Sequence, residues 1–364
     1  CMTTSMSRSN NMQSRDRGAV DPAKPRFMRE PLIRGSFPHV YLVAAYQIQS
    51  GGVDINTIVE RTEHKRWLIS FADIQRVKSQ GGPRISGTWM EAALASKCSV
   101  FLDSGAFTFQ GFKLKGTSGR VRKQAIQDLF IPEEDRNGFQ EAYITYCQRE
   151  GFRFDCYANF DYDTDPRIVY RMQESLEARN IYPFPVVHFA DGSLPWFRKY
   201  LDLGYLFIGI SRGIRRKDRE GGLRFFEKIF QIAKVYPKVC LHGFGITDIN
   251  LALRFPWYSI DSSTWIKATA LGNIFVLVNS KLEMIHITTR AAGNHSSFDP
   301  GWKVQVEKRG FDYDLMRQHT DDKALNRRAW AERGIYNVHM LSNLYQSGIQ
   351  IEKGEKKWIS LIGG

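Results

Sequence analysis

A (β/α)₈ barrel of the TIM type, in the α/β class, is the fold that this 364-residue chain predicts. Eight short, near-continuous apolar runs recur along it, as parallel strands buried on both faces require. Amphipathic, helix-like stretches separate them, and two of the runs end on an aspartate inside a turn of small residues. A doubly wound open sheet is the structural alternative. It is weakened because no Gly-rich nucleotide loop follows the first run.

Residues 1–36 are expected to be a disordered tail, since 1–31 is rich in Ser, Asn, Arg and Met and shows no periodicity. A single barrel domain is expected over 37–364. Its strands are placed at 39–45, 67–71, 100–103, 157–161, 184–189, 205–210, 238–243 and 258–261. Helices are placed at 53–64, 138–150, 166–180, 194–203, 222–236 and 247–254, with Asp165 and Pro166 forming a capped start for the third. From 265 to 364 the pattern changes. A hairpin is expected around Asn279-Ser280-Lys281, followed by helix over 310–346, giving closing helices and a small appendage.

Composition narrows the function. Hydrophobic residues make up 43% and charged residues 24%, enough for a full core. No run approaches the ~20 apolar residues of a membrane helix, and the N-terminus carries no apolar signal core, so a soluble cytoplasmic protein with no membrane partner is expected (host cytoplasm if phage-encoded). The five cysteines are scattered without C-x-x-C spacing, which argues against a disulfide framework and a structural zinc site and for reduced thiols in or near a core. The formal net charge of +13 favours a polyanionic partner, nucleic acid, over a cationic surface that binds nothing.

In a barrel the carboxyl ends of the strands share one rim. Read in order, those ends supply Asp103 with Phe107, then Asp161, His188, the turn 209–213, the turn 242–245, and Asp261. One aspartate after a strand is commonly a cap, and one histidine in an apolar run is commonly a core residue. An Asp or His at five of the eight strand ends makes these candidates for chemistry. Two basic loops leave the same rim: Lys113, Lys115, Arg120, Arg122 and Lys123 after the third strand, and Arg212, Arg215, Arg216, Lys217 and Arg219 after the sixth. Such runs are commonly solvated faces; sharing a rim with the carboxylates points instead to phosphate-backbone contact. Rim carboxylates and cationic loops suggest glycosidic chemistry on a nucleic acid, one carboxylate attacking C1′ and the other handling the proton of the departing base. The alternatives are a small-molecule nucleosidase or glycosidase, and a non-catalytic nucleic-acid-binding barrel.

The ordered set of motifs resembles the tRNA-guanine transglycosylase superfamily. Phe101-Leu102-Asp103-Ser104-Gly105-Ala106-Phe107 resembles its D-S-G-G-[FY] motif, and Asn159-Phe160-Asp161 its base-recognition strand end. Phe207-Ile208-Gly209-Ile210-Ser211 resembles its glycine-bearing base-binding strand, and Leu241-His242-Gly243-Phe244-Gly245-Ile246-Thr247 its M-G-V-G-T turn. Ile260-Asp261-Ser262 resembles its nucleophile segment. The resemblance implies Asp261 as nucleophile, Asp103 as general acid/base and Asp161 as reader of a guanine-like edge. It implies a ring sandwich of Phe107 and His242, backbone contacts around Gly209, Ile210, Ser211 and Gly243, and His188 at a position commonly held by a base-contacting Gln. The family's zinc motif has no counterpart, because no cysteine follows Cys240, and Ser263-Thr264-Trp265-Ile266 replaces its P-T-R segment. These departures resemble the divergent DNA-guanine transglycosylases of phages and bacterial islands. They imply a DNA substrate (tRNA being the alternative), a free 7-deazaguanine base such as preQ0, no cofactor, and a helicase-like or dimer partner to open the duplex.

Overall fold

The computed structural model describes residues 21, 23–28, 32, 38–44, 54–75, 87–106, 133–211, 219–246, 249–278, 281–288 and 300–347. Eight parallel strands form one sheet: β1 (His39–Val43), β2 (Arg66–Ser70), β3 (Ser99–Asp103), β4 (Cys156–Tyr157), β5 (Val186–His188), β6 (Phe207–Ser211), β7 (Cys240–Phe244) and β8 (Ser259–Ser262). The spatial order is β4-β3-β2-β1-β8-β7-β6-β5, with every neighbouring pair parallel. The remaining gap is bridged beyond β4, where Ala158 pairs with Phe184. There Asn159 N–H donates to Phe184 O and Phe184 N–H to Tyr157 O, each at 3.0 Å. The sheet thereby curls into the expected barrel, and all eight expected strands are present.

Strand parity explains why the runs are apolar throughout. Tyr41, Leu68, Phe101, Phe184 and Phe207 fill the barrel interior. The alternate residues Leu42, Ile69, Leu102, Ile208, Leu241 and Ile260 lie under the helices. Those helices are α1 (Ile55–Thr62), α2 (Phe71–Ile74), α3 (Gly87–Ala95), α4 (Glu133–Glu150), α5 (Pro166–Ala178), α6 (Ser193–Asp202), α7 (Arg219–Ala233), α8 (Ile249–Arg254) and α9 (Thr264–Ala270). Asp165 caps α5 through Arg167 N–H at 2.9 Å, with Pro166 in the first turn, as the sequence implied. The short helices α2 and α3 were not expected. In α3, Trp89, Met90 and Ala93 are buried beside small residues, a pattern with little helical contrast between faces.

After the barrel come the antiparallel hairpin β9 (Asn273–Val278) and β10 (Lys281–His286), then α10 (Pro300–Glu307), α11 (Tyr313–Arg317) and α12 (Lys323–Ser347). The hairpin's Asn279 and Ser280 lie outside the described residues. Helix α12 packs against α1, α9 and β9, closing the helical layer over β1. Glu332 takes both guanidinium nitrogens of Arg61 at 2.7 and 2.8 Å. The Asn337 amide ties Thr269 and Asn273 to the helix, and Ser342 reaches the ring of His64 at 2.7 Å. The C-terminal segment is therefore built into the barrel wall.

Part of the stretch expected to be a tail is docked instead. Arg26 and Phe27 donate backbone hydrogen bonds to Phe154 O and Asp155 O, each at 2.9 Å, and Ala23 O accepts from the buried Tyr157 hydroxyl at 2.6 Å. The Phe27 ring lies 5.7 Å from Phe207 at the amino-terminal end of the barrel. A short plug of this kind has too few apolar residues to show any periodicity.

Candidate active site

The turn after β3 is built on Gly105. Its φ of +75° is left-handed, and a Cβ there would lie 2.6 Å from Ala72 N and 2.8 Å from Ser70 Oγ, so only glycine fits. Its N–H donates to Asp103 Oδ2 at 3.1 Å, an Asx-turn that fixes the carboxyl group at the end of the strand. Burial pushes the Asp103 carboxyl up to about 8, helped by the carboxylates of Asp161 and Asp261 and weakly opposed by the Gly105 N–H. Asp103 therefore carries a proton at neutral pH.

Asp161 follows β4. Its Oδ1 accepts from the Ser104 hydroxyl at 3.0 Å, and its Oδ2 lies 3.3 Å from Nε2 of His188, at the end of β5. Neither ring nitrogen of the buried His188 has an aligned hydrogen bond among the described residues.

Asp261 comes inward from β8. Gly245 N–H donates to its Oδ1 at 2.8 Å, and His242 Nε2 stands 3.3 Å from the same oxygen. Among the described residues Oδ2 has no hydrogen-bond partner. The three carboxyl groups of Asp103, Asp161 and Asp261 thus share one rim, as expected; Asp103 is held by its own turn, and Asp161 and Asp261 by residues that follow other strands.

Other sequence-predicted residues sit differently. His242 is 0% exposed, with the rings of Phe244 and Phe101 at 4.6 and 4.7 Å and those of Tyr41, Phe184 and Phe207 between 6.3 and 6.4 Å. Neither of its faces is open to stack on a ligand, so the sandwich role is corrected to one beneath the rim. Ile210 and Gly243 face outward: Ile210 is buried under the helices, and a Cβ on Gly243 would meet Ile246 at 2.6 Å. Any contact either makes with a ligand is through the backbone. Gly209 faces inward, and its missing side chain makes room for the rings of Phe244 and Phe184, which would lie 2.5 and 2.8 Å from a Cβ. Ser211 ends β6 on the inward side, half-buried. Phe107, Lys113, Lys115, Arg120, Arg122, Lys123, Arg212, Arg215 and Arg216 lie outside the described residues.

Several contributors escaped the sequence reading. Phe244 faces inward at the end of β7 and is partly exposed, so it is the aromatic side chain that the strand presents toward the rim. Counting by two from His242 finds it. Asp73, on α2, adds to the negative surroundings of Asp103. A third basic segment, with Arg76, Lys78 and Arg84, follows β2 and α2. Together the segments 76–86, 107–132 and 212–218 hold 12 Lys and Arg against two Asp.

Cys98, Cys147, Cys156 and Cys240 are free thiols in the buried interior. Among the described residues no group of three His, Cys, Asp or Glu is arranged to hold a metal ion, and no helix is long and apolar enough to cross a membrane. No family model matches the chain, and no curated protein matches its sequence. The geometry offers a carboxylic acid poised to give up a proton and, on the same rim, a carboxylate with one oxygen tied and the other without a hydrogen-bond partner among the described residues. That pairing suits displacement at a carbon whose leaving group needs protonation.

Proposed function

We propose that the protein is a base-exchange transglycosylase that replaces guanine in DNA with a 7-deazaguanine base of the preQ0 kind, through a covalent intermediate on Asp261. The observation that carries this reading is the unequal pair on the rim: Asp103 keeps its proton to about pH 8, while Asp261, whose charge helps to raise it, has Oδ1 tied and Oδ2 without a hydrogen-bond partner among the described residues. Two carboxyl groups whose surroundings separate their roles are what acid-assisted glycosyl transfer needs.

In the proposed reaction Asp261 Oδ2 forms a bond to C1′ of a flipped-out nucleotide as the bond from C1′ to N9 of guanine breaks. The electron pair leaves with the base, and the Asp103 carboxyl supplies the proton the base needs, an effect worth about 10²–10⁴-fold. The incoming base then forms its own N9–C1′ bond, returns a proton to Asp103, and releases the Asp261 carboxylate. No other reactant is consumed. The aromatic packing of Phe101, Phe184 and Phe244 beneath the rim supports the exclusion of water that would otherwise divert the intermediate to depurination. The basic segments supply counter-charge for a phosphate backbone.

Nucleoside mass spectrometry of DNA and tRNA from cells with and without the protein tests the reading. A deazaguanine nucleoside that appears in DNA only when the protein is present is the expected result. Its appearance in tRNA alone would assign the same chemistry to RNA, and no change in either polymer would refute the reading.

A further inference from the structure

His242 is costly where it lies. A fully buried imidazole among five aromatic rings brings two polar nitrogens where an apolar side chain would bring none. Its two nitrogens are nevertheless both addressed. Nδ1 is 2.9 Å from the hydroxyl of Ser259, which is itself completely buried, and Nε2 is 3.3 Å from Asp261 Oδ1, not aligned as a hydrogen bond. A carboxylate can only accept, so a ring that carries its hydrogen on Nε2 turns a donor to Asp261 and can take the Ser259 O–H at Nδ1. Residues 259 and 261 lie on the same strand and 242 lies next to it, in the pairing that sets His242 beside Ser259. The chain Ser259, His242, Asp261 therefore runs from the barrel interior up to the rim.

We propose that His242 is a positioning residue for Asp261, holding Oδ1 together with the Gly245 N–H so that Oδ2 alone attacks. This deepens the base-exchange reading and rests on it. When Oδ2 bonds to C1′, Oδ1 becomes the carbonyl oxygen of the glycosyl ester. When the incoming base forms its bond to C1′ and the C1′–Oδ2 bond breaks, the electron pair returns to the carboxylate. The two N–H groups at Oδ1 then stabilise the charge that reappears. The help of His242 falls on the second half of the reaction, release of the intermediate, because the same N–H restrains the free carboxylate in the first half.

Two measurements test this. Long-range ¹H–¹⁵N spectra of the intact chain labelled in histidine need no substrate. The His242 signals, identified by their loss in His242→Gln, should show the proton on Nε2, and Asp261→Asn should displace them. Exchange kinetics with labelled guanine and DNA form the second. His242→Phe should lower turnover roughly 10²-fold, the loss of one donor aimed at returning charge, with KM for the free base changed less than about twofold. The share of protein trapped as covalent adduct should rise, and His242→Gln, which keeps an N–H, should recover most of the turnover. A ring protonated on Nδ1 and indifferent to Asp261→Asn would overturn the inference. So would adduct and turnover falling together in His242→Phe with no recovery in His242→Gln. A wild-type protein that exchanges no base would instead defeat the base-exchange reading, and the spectra would still decide whether His242 and Asp261 are coupled.

Discussion

Replacing Asp103 with Asn removes an ionisable group whose folded and unfolded states differ most at the rim. The folded carboxyl titrates at about 8 against an ordinary 3.8, because burial and the Asp161 and Asp261 carboxylates oppose its ionisation. Between pH 4 and 8 the folded chain keeps a proton that the unfolded chain has lost. Stability must therefore fall as pH rises through that window and level off above 8. At about 1.4 kcal/mol per unit the ceiling is about 6 kcal/mol. Water at the partly open rim and relaxation of the turn reduce this to about 2–3 kcal/mol. Asn can still accept from the Gly105 N–H, so Asp103→Asn should match wild type near pH 4 and exceed it by that amount at pH 9. Urea unfolding of both proteins at half-unit steps from pH 4 to 9 gives the difference curve. Parallel curves, or a variant less stable at pH 9, would refute the proton assignment. Exchange activity should meanwhile drop by about 10²–10⁴-fold, since Asn has no proton to deliver.

Other perturbations probe separate parts of the account. Burial holds the His64 imidazole down at about 3, with Nε2 against Arg66 O and Nδ1 against Ser342, so its contribution is complete above pH 6.5 and is lost as pH falls toward 3. Wild type should lose stability over pH 6.5–4 more steeply than His64→Gln, and equal acid slopes in chemical denaturation would count against the buried neutral ring. Gly105→Ala forces a Cβ to within 2.6 Å of Ala72 N at a left-handed φ and should cost about 1–3 kcal/mol, with exchange activity falling as the Asp103 turn shifts. An unchanged urea midpoint would contradict it. Lys115→Ala should weaken DNA binding for all sequences and lower the salt slope by about one, measured by anisotropy over a salt series; an unaltered slope would remove that loop from the backbone contacts.

The barrel was legible because its strands are apolar on both faces and punctuated by helices of the right period. Asp103 and Asp261 were legible because each ends such a strand in a turn too small to be core. What lay hidden is tertiary. The environment of His242 depends on rings from five other positions; only Phe244 shares its strand, and spacing around residue 242 marks none of Tyr41, Phe101, Phe184 and Phe207. Phe244 was overlooked because it sits between Gly243 and Gly245 and reads as part of a turn, whereas it continues the inward face of β7. Gly209 looked like a site of close ligand approach, yet its nearest neighbours are the rings of Phe244 and Phe184. Helix α3 lacks the polar face by which a surface helix is recognised, and residues 23–28 dock through backbone hydrogen bonds that no side-chain pattern announces.

The most direct test of the central claim is to incubate the protein with DNA and radiolabelled guanine or preQ0, then separate polymer from free base and denature a parallel sample on a gel. The account predicts label entering DNA with wild-type protein, a protein–DNA adduct that survives denaturation, and loss of both in Asp261→Asn. An undiminished adduct in Asp261→Asn, or label that enters no polymer with the wild-type chain, would contradict it.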